Sequence, residues 1–143
     1  MTTFDITLKD YGKHNKGINA EMSLHEFFGL EKTKHDNIAY DQGSDIVIGT
    51  KNISVKSARF TLASGSKFNS NDFNEIVKKY IETTHSNTFI YITETGKCFE
   101  MNINEFVKFI YQFCTLQKDS DNTMKVRAKH ESKTMIKWLN EMV

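Results

Sequence analysis

The chain of 143 residues contains no proline, only two cysteines and no surplus of charge, with 19 Lys and Arg against 18 Asp and Glu. Cys98 and Cys114 are too few for a disulfide scaffold or a cysteine-based zinc site. No apolar run approaches the roughly 18 residues of a membrane span, and Met1-Thr2-Thr3-Phe4-Asp5 lacks the charged and apolar regions of a signal peptide. There is no glycine-rich phosphate loop and no Gly-x-Ser-x-Gly elbow, so no nucleotide cofactor is expected. The chain does have a core's worth of apolar side chains. It is 38% hydrophobic and 12% aromatic, whereas disorder needs low hydrophobicity with high net charge. One soluble, cytoplasmic domain over residues 1–143, with no membrane partner, is the expectation.

The near-zero net charge hides an alternation. Residues 1–50 carry a net of −3, residues 51–79 a net of +4, residues 80–123 a net of −3 and residues 124–143 a net of +3. Folding could gather such blocks into one basic and one acidic face, or leave them as ordinary solvated surface.

Hydrophobic periodicity places the elements. Ala20, Leu24, Phe27 and Phe28 share one side of a helix over 18–30, capped by Asn15 or Asn19 and loosened at Gly29. Residues 45–48 and 53–56 read as strands of a hairpin around Gly49-Thr50-Lys51-Asn52. Phe60-Thr61-Leu62 either prolongs the second strand or starts a third, and 63–71 reads as a loop. Phe73, Ile76, Val77, Tyr80 and Ile81 mark a helix over 72–84, with Ser70 or Asn71 as N-cap. Residues 89–92 and 97–101 flank Glu94-Thr95-Gly96 as a second hairpin. A helix over 104–116, a polar linker at 118–122, an edge strand at 124–128 and a helix over 131–142 complete the chain. The order α-β-β-(β)-α-β-β-α-β-α predicts a sheet with helices packed on it.

Chemistry concentrates in the first hairpin. Strand alternation puts Ser54 and Lys56 on one face and Ile53 and Val55 on the other. Antiparallel pairing can bring Asp45 close to Lys56. A carboxylate beside an ammonium suits metal-assisted phosphodiester hydrolysis: hard oxygen ligation holds Mg²⁺, while the lysine orients water and offsets phosphate charge. Glu21 shares its helix side with Ile18, Leu24 and Phe28 and so borders the buried face, where a carboxylate calls for a cation or metal.

Gly17-Ile18-Asn19-Ala20-Glu21, then Asp45 opening a strand, then Lys56 in the next strand: in this order the chain resembles the PD-(D/E)XK nucleases, which include restriction endonucleases and Holliday junction resolvases. The resemblance covers about residues 15–102. It implies an α/β, restriction-endonuclease-like fold, a mixed sheet flanked by helices with an α-β-β-β-α-β core. It also implies a Mg²⁺-dependent DNA endonuclease in which Glu21 and Asp45 are metal carboxylates and Lys56 is the catalytic lysine. Two positions depart from the pattern. Ser54 stands where the family has its second acid, and Ser44 replaces the proline before the aspartate. Asp72, beside the apolar stripe of the following helix, is the candidate substitute carboxylate. Without one, the domain could be a non-catalytic DNA- or protein-binding relative; a junction resolvase is the other alternative. A homodimer is expected if both strands are cut.

Contacts to DNA are expected from Ser57, from Arg59 and Lys67 around the loop that also holds Ser64 and Ser66, and from the alternating Lys125-Val126-Arg127-Ala128-Lys129. The last of these reads equally as an edge strand guarded by charge.

Overall fold

A computed structural model describes residues 1–12, 16–30 and 45–143. Its strands are β1 (Thr2–Asp5), β2 (Ile46–Ile48), β3 (Lys51–Ser57), β4 (Thr61–Ser64), β5 (Thr88–Ile92), β6 (Lys97–Asn102), β7 (Cys114–Lys118) and β8 (Met124–Ala128). Its helices are α1 (Lys16–Phe27), α2 (Gly65–Phe68), α3 (Phe73–Thr83), α4 (Ile103–Phe113) and α5 (Lys133–Met142).

Five strands form a mixed sheet in the order β1-β6-β5-β3-β2, and three form an antiparallel sheet in the order β4-β8-β7. Within the first sheet β3 and β5 run parallel while the other neighbours are antiparallel. The chain between them carries β4, α2 and α3, a connection long enough for a crossover. Strand β5, Thr-Phe-Ile-Tyr-Ile, is buried at every residue, as an unbroken apolar run flanked on both faces should be. Ile53, Ile90, Ile92 and Cys98 face Ala20 and Leu24 of α1. On the other side Phe89, Tyr91, Phe99 and Met101 pack with α3, α4, α5 and the inner face of the second sheet. Phe109 is the hub of that core, with ring centroids of Tyr91 and Phe113 both at 5.4 Å and those of Phe60, Phe106 and Trp138 at 6.0–6.3 Å.

The mixed α/β architecture agrees with the sequence reading, and several elements correct it. Strand β1 was not expected; its four residues are closed onto β6 by tertiary pairing. The first hairpin turns on Gly49 and Thr50 alone, with Gly49 in the left-handed region at φ +57°, so Lys51 and Asn52 belong to β3. Phe27 does not join the buried face of α1; it is half exposed and stacks on Phe4 at 5.2 Å. Asn19 lies inside α1 rather than at its cap and accepts a hydrogen bond from Tyr11 N at 3.1 Å. Asn15, Gly43 and Ser44 lie outside the described residues. The segment expected to be a loop contains the end of β4 and the short α2. Helix α4 stops at Phe113, because Cys114–Lys118 pairs with β8 instead of continuing the helical stripe. Strand β8 is therefore the centre of its sheet and not an edge.

Gly96 shows how tightly β1 is joined. Its φ is +90°, and a Cβ there would lie 2.2 Å from the carbonyl oxygen of Ile6, while Ile6 N donates to Gly96 O at 2.9 Å. Gly96→Ala is expected to destabilise the protein by about 2 kcal/mol, through strain and a forced displacement of Ile6. Urea unfolding gives the total. Hydrogen exchange should show the loss of protection concentrated at Thr3 to Ile6, and uniform loss across β5 would contradict this account.

Candidate functional site

Asp45 directly precedes β2, and its backbone N–H donates to Ile53 O at 2.7 Å. Its Oδ2 accepts from Val55 N at 2.7 Å. The carboxylate thus occupies a ladder position that β2, only three residues long, does not reach, and it sits one residue before Lys56 along β3.

The alternation expected for β3 is present. Ile53 and Val55 pack against the α1 layer, while Ser54 and Lys56 face the opposite layer. Ser54 is fully buried, and its Oγ has no hydrogen-bond partner among the described residues. Lys56 meets aromatic neighbours. Its ammonium is 5.6 Å from the Phe60 ring centroid and 6.0 Å from that of Tyr80, within the range of cation–π attraction. Burial pushes the Cys114 thiol up to about 12, and the charge of Lys56 acts in the opposite direction. The lysine's field therefore reaches into the space between the two sheets.

Glu21 lies on α1 one turn before His25, with Oε1 and Nε2 3.8 Å apart. Both side chains are largely buried, and neither ring nitrogen of His25 has a hydrogen-bond partner among the described residues. The periodicity identified the border position of Glu21 but did not single out His25, whose E-x-x-x-H spacing from Glu21 was the available signal. Asp72 is exposed and caps α3, accepting from Glu75 N at 2.9 Å. The cap is thus Asp72, not Ser70 or Asn71; Ser70 Oγ instead accepts from Asp72 N at 3.1 Å.

Glu21, Asp45 and Asp72 do not converge. Among the described residues no three His, Cys, Asp or Glu side chains form a metal-binding group. The remaining donor set is the Asp45 carboxylate, bonded to the backbone N–H of the residue before Lys56. Mg²⁺ is compatible with such a set, because it commonly takes one or two carboxylates and fills its octahedron with water and substrate phosphate oxygens.

Beside this hairpin the carboxyl ends of the parallel strands β3 and β5 open into a cleft of about 550 Å³, bordered by Ser57, Ala58, Thr93, Glu94, Lys16 and Asn19. Adjacent carboxyl ends of parallel strands are where open α/β sheets receive ligands. Ala58 holds φ +50° at the lip, an unusual conformation for a residue with a Cβ, and it turns the chain out of β3 toward the second sheet.

The other expected DNA contacts lie away from Asp45 and Lys56, on and around the second sheet. Arg59 donates to Gln117 Oε1 at 2.8 Å. Lys67 lies over the Phe68 ring at 5.5 Å. Lys125 and Arg127 share the outer face of β8, as the alternation predicts, and both bind Asp119. Lys129 is exposed just beyond the strand, so the expected stripe of three is a pair plus a neighbour. Asp119 drew no attention in the sequence; its position at the mouth of a hairpin turn was the only signal. The chain matches no family model, no curated protein and no solved structure.

Proposed function

We propose that this protein is a Mg²⁺-dependent DNA endonuclease, with Asp45 holding the ion and Lys56 facing the scissile phosphate. The observation that carries the reading is the hydrogen bond from Val55 N to Asp45 Oδ2, which fixes an acid one residue from a lysine at the carboxyl end of β3. The sequential order α1, β2, β3, β4, α3, β5 and the parallel pairing of β3 with β5 support it. When bound, the ion supplies Lewis-acid polarisation of the phosphate and a more acidic water. Asp45 provides one hard oxygen ligand. The Lys56 ammonium, which lies over the rings of Phe60 and Tyr80, offsets charge on the phosphate oxygens and orients the attacking water. Glu21, which faces His25 on α1 and does not converge with Asp45, and Asp72, which caps α3, are assigned no part in holding the ion. Cutting both strands of a duplex requires a second copy, since one site cuts one strand. No helix among the described residues is long and apolar enough to cross a membrane.

A second reading, a non-catalytic DNA-binding domain, is favoured by the buried Ser54 in the acid's place and by the aromatic surroundings of Lys56. Incubation with supercoiled plasmid and a synthetic four-way junction, in Mg²⁺ or in EDTA, separates the readings. Mg²⁺-dependent nicking or linearisation of plasmid is the expected result. Cleavage confined to the junction assigns a resolvase, and cleavage of neither substrate removes the nuclease.

A further inference from the structure

The sheet β4-β8-β7 buries Val126, Ala128, Leu62 and Cys114 on its inner side and presents a different chemistry outward. Arg127 and Lys125 of β8 stand opposite Thr115 and Gln117 of β7, with Thr61 of β4 on the other flank. Arg59, just before β4, reaches across to Gln117. The face is a layer of guanidinium, ammonium, hydroxyl and amide groups. Set among them is Asp119, with Asp121 in the turn beside it. Asp119 accepts from Arg127 through both oxygens, at 2.9 and 3.2 Å, and pairs with Lys125 Nζ at 2.6 Å. Arg127 Nε donates to Thr61 Oγ1 at 3.1 Å, which holds the guanidinium flat on the sheet.

A carboxylate gripped by a guanidinium fork and an ammonium has the geometry of a bound phosphate oxyanion. We propose that this face docks the phosphate backbone of duplex DNA, and that Asp119 is a built-in competitor which occupies Lys125 and Arg127 until a phosphate displaces it. Charge complementarity identifies the partner: Arg59, Lys125 and Arg127 against Asp119 and Asp121 leave a net positive charge, and the exposed Lys118 and Lys129 extend it. Arg59, Thr61, Thr115, Gln117, Lys125 and Arg127 offer hydrogen-bond donors and charge, the chemistry of phosphate contacts, and not the aromatic stacking by which single strands are bound. Lys125 first, and then Arg127, hold the Asp119 carboxyl below its usual range, so the competitor stays ionised throughout the neutral range.

The proposal rests on the reading of the chain as a DNA-binding protein but not on cleavage. The test is fluorescence anisotropy with a labelled 20-base-pair duplex of arbitrary sequence, in EDTA, across a salt series. Asp119→Asn is expected to tighten binding about fivefold or more, by removing a repulsive charge and releasing two cations. The double variant Lys125→Gln, Arg127→Gln is expected to weaken binding and to lower the slope of log K against log salt by about 2, near 0.9 per lost phosphate contact. A folded Asp119→Asn protein that binds no tighter than wild type overturns the proposal. So does a double variant with an unchanged salt slope, which keeps the test decisive if Asp119→Asn does not fold. Tighter binding of a single strand of the same length overturns the duplex assignment. Duplex that binds but is never cut in Mg²⁺ leaves the docking face standing and removes only the nuclease.

Discussion

Lys56→Met is expected to reduce Mg²⁺-dependent cleavage by about 100-fold or more while leaving the fold intact, because one preorganised charge facing a reacting group contributes roughly that much. Methionine keeps an unbranched apolar side chain and removes the ammonium from beside Phe60 and Tyr80, so the stability change is mainly the lost cation–π attraction, about 1 kcal/mol. Asp45→Asn is the matching change on the other strand. Its side-chain oxygen can still accept from Val55 N, so the loss is the difference between a charged and a neutral acceptor, about 1 kcal/mol. Its ability to hold a divalent cation falls much further. The diagnostic result is a split: both variants unfold in urea close to wild type, yet neither nicks plasmid. Nicking at wild-type rate by both would place cleavage elsewhere in the chain. Equal losses of activity and stability would give Asp45 and Lys56 purely structural roles.

Phe109→Ala is expected to cost about 3–5 kcal/mol, the range for deleting a large aromatic side chain from a packed interior. Five rings surround Phe109, drawn from β5, α4, α5 and the segment before β4, so no single neighbour can close the void. Total stability of a domain is about 5–15 kcal/mol, and one substitution here therefore removes a large share of it. The check is the urea midpoint, with the same variant at Tyr111, which is half exposed, as the comparison. A cost at Phe109 no greater than at Tyr111 would show that the ring cluster is not the joint between the two sheets.

The sequence made some elements plain and concealed others for identifiable reasons. The stripe of Phe73, Ile76, Val77 and Tyr80 predicts α3 to within a residue at each end by its periodicity, although the cap is Asp72 and not the expected Ser70 or Asn71. The two hairpins of the first sheet were readable because turn residues separate alternating runs. In the second sheet β8 and the start of β4 were readable, but β7 was not. Leu116 falls on the helical stripe of Phe109 and Phe113, and only pairing with Val126 shows that the backbone has changed to β. Strand β1 has little pattern of its own and exists through its register with β6. In the candidate site, the juxtaposition of Asp45 and β3 was legible because hairpin register follows from the turn. The surroundings of Lys56 were not, because Phe60 and Tyr80 come from elements that meet it only through the crossover. Asp119 was hidden for the same reason: a turn acid becomes a clamped anion only when two alternate residues of β8 face it.

The pairing of β1 with β6 joins residues far apart in the chain; Thr3 Oγ1 donates to Cys98 O across 95 positions. Closing so long a loop carries an entropy cost that must be met before the contacts are gained, and pairings of this range form slowly. During folding β6 therefore waits as an uncovered edge, with its backbone N–H and C=O groups open to any passing strand. A second molecule caught at that stage can supply its own β1 to β6, and the exchange would be reciprocal. The expected by-product of refolding at high concentration is a dimer with swapped first strands, chemically identical to the monomer and released from it only by unfolding.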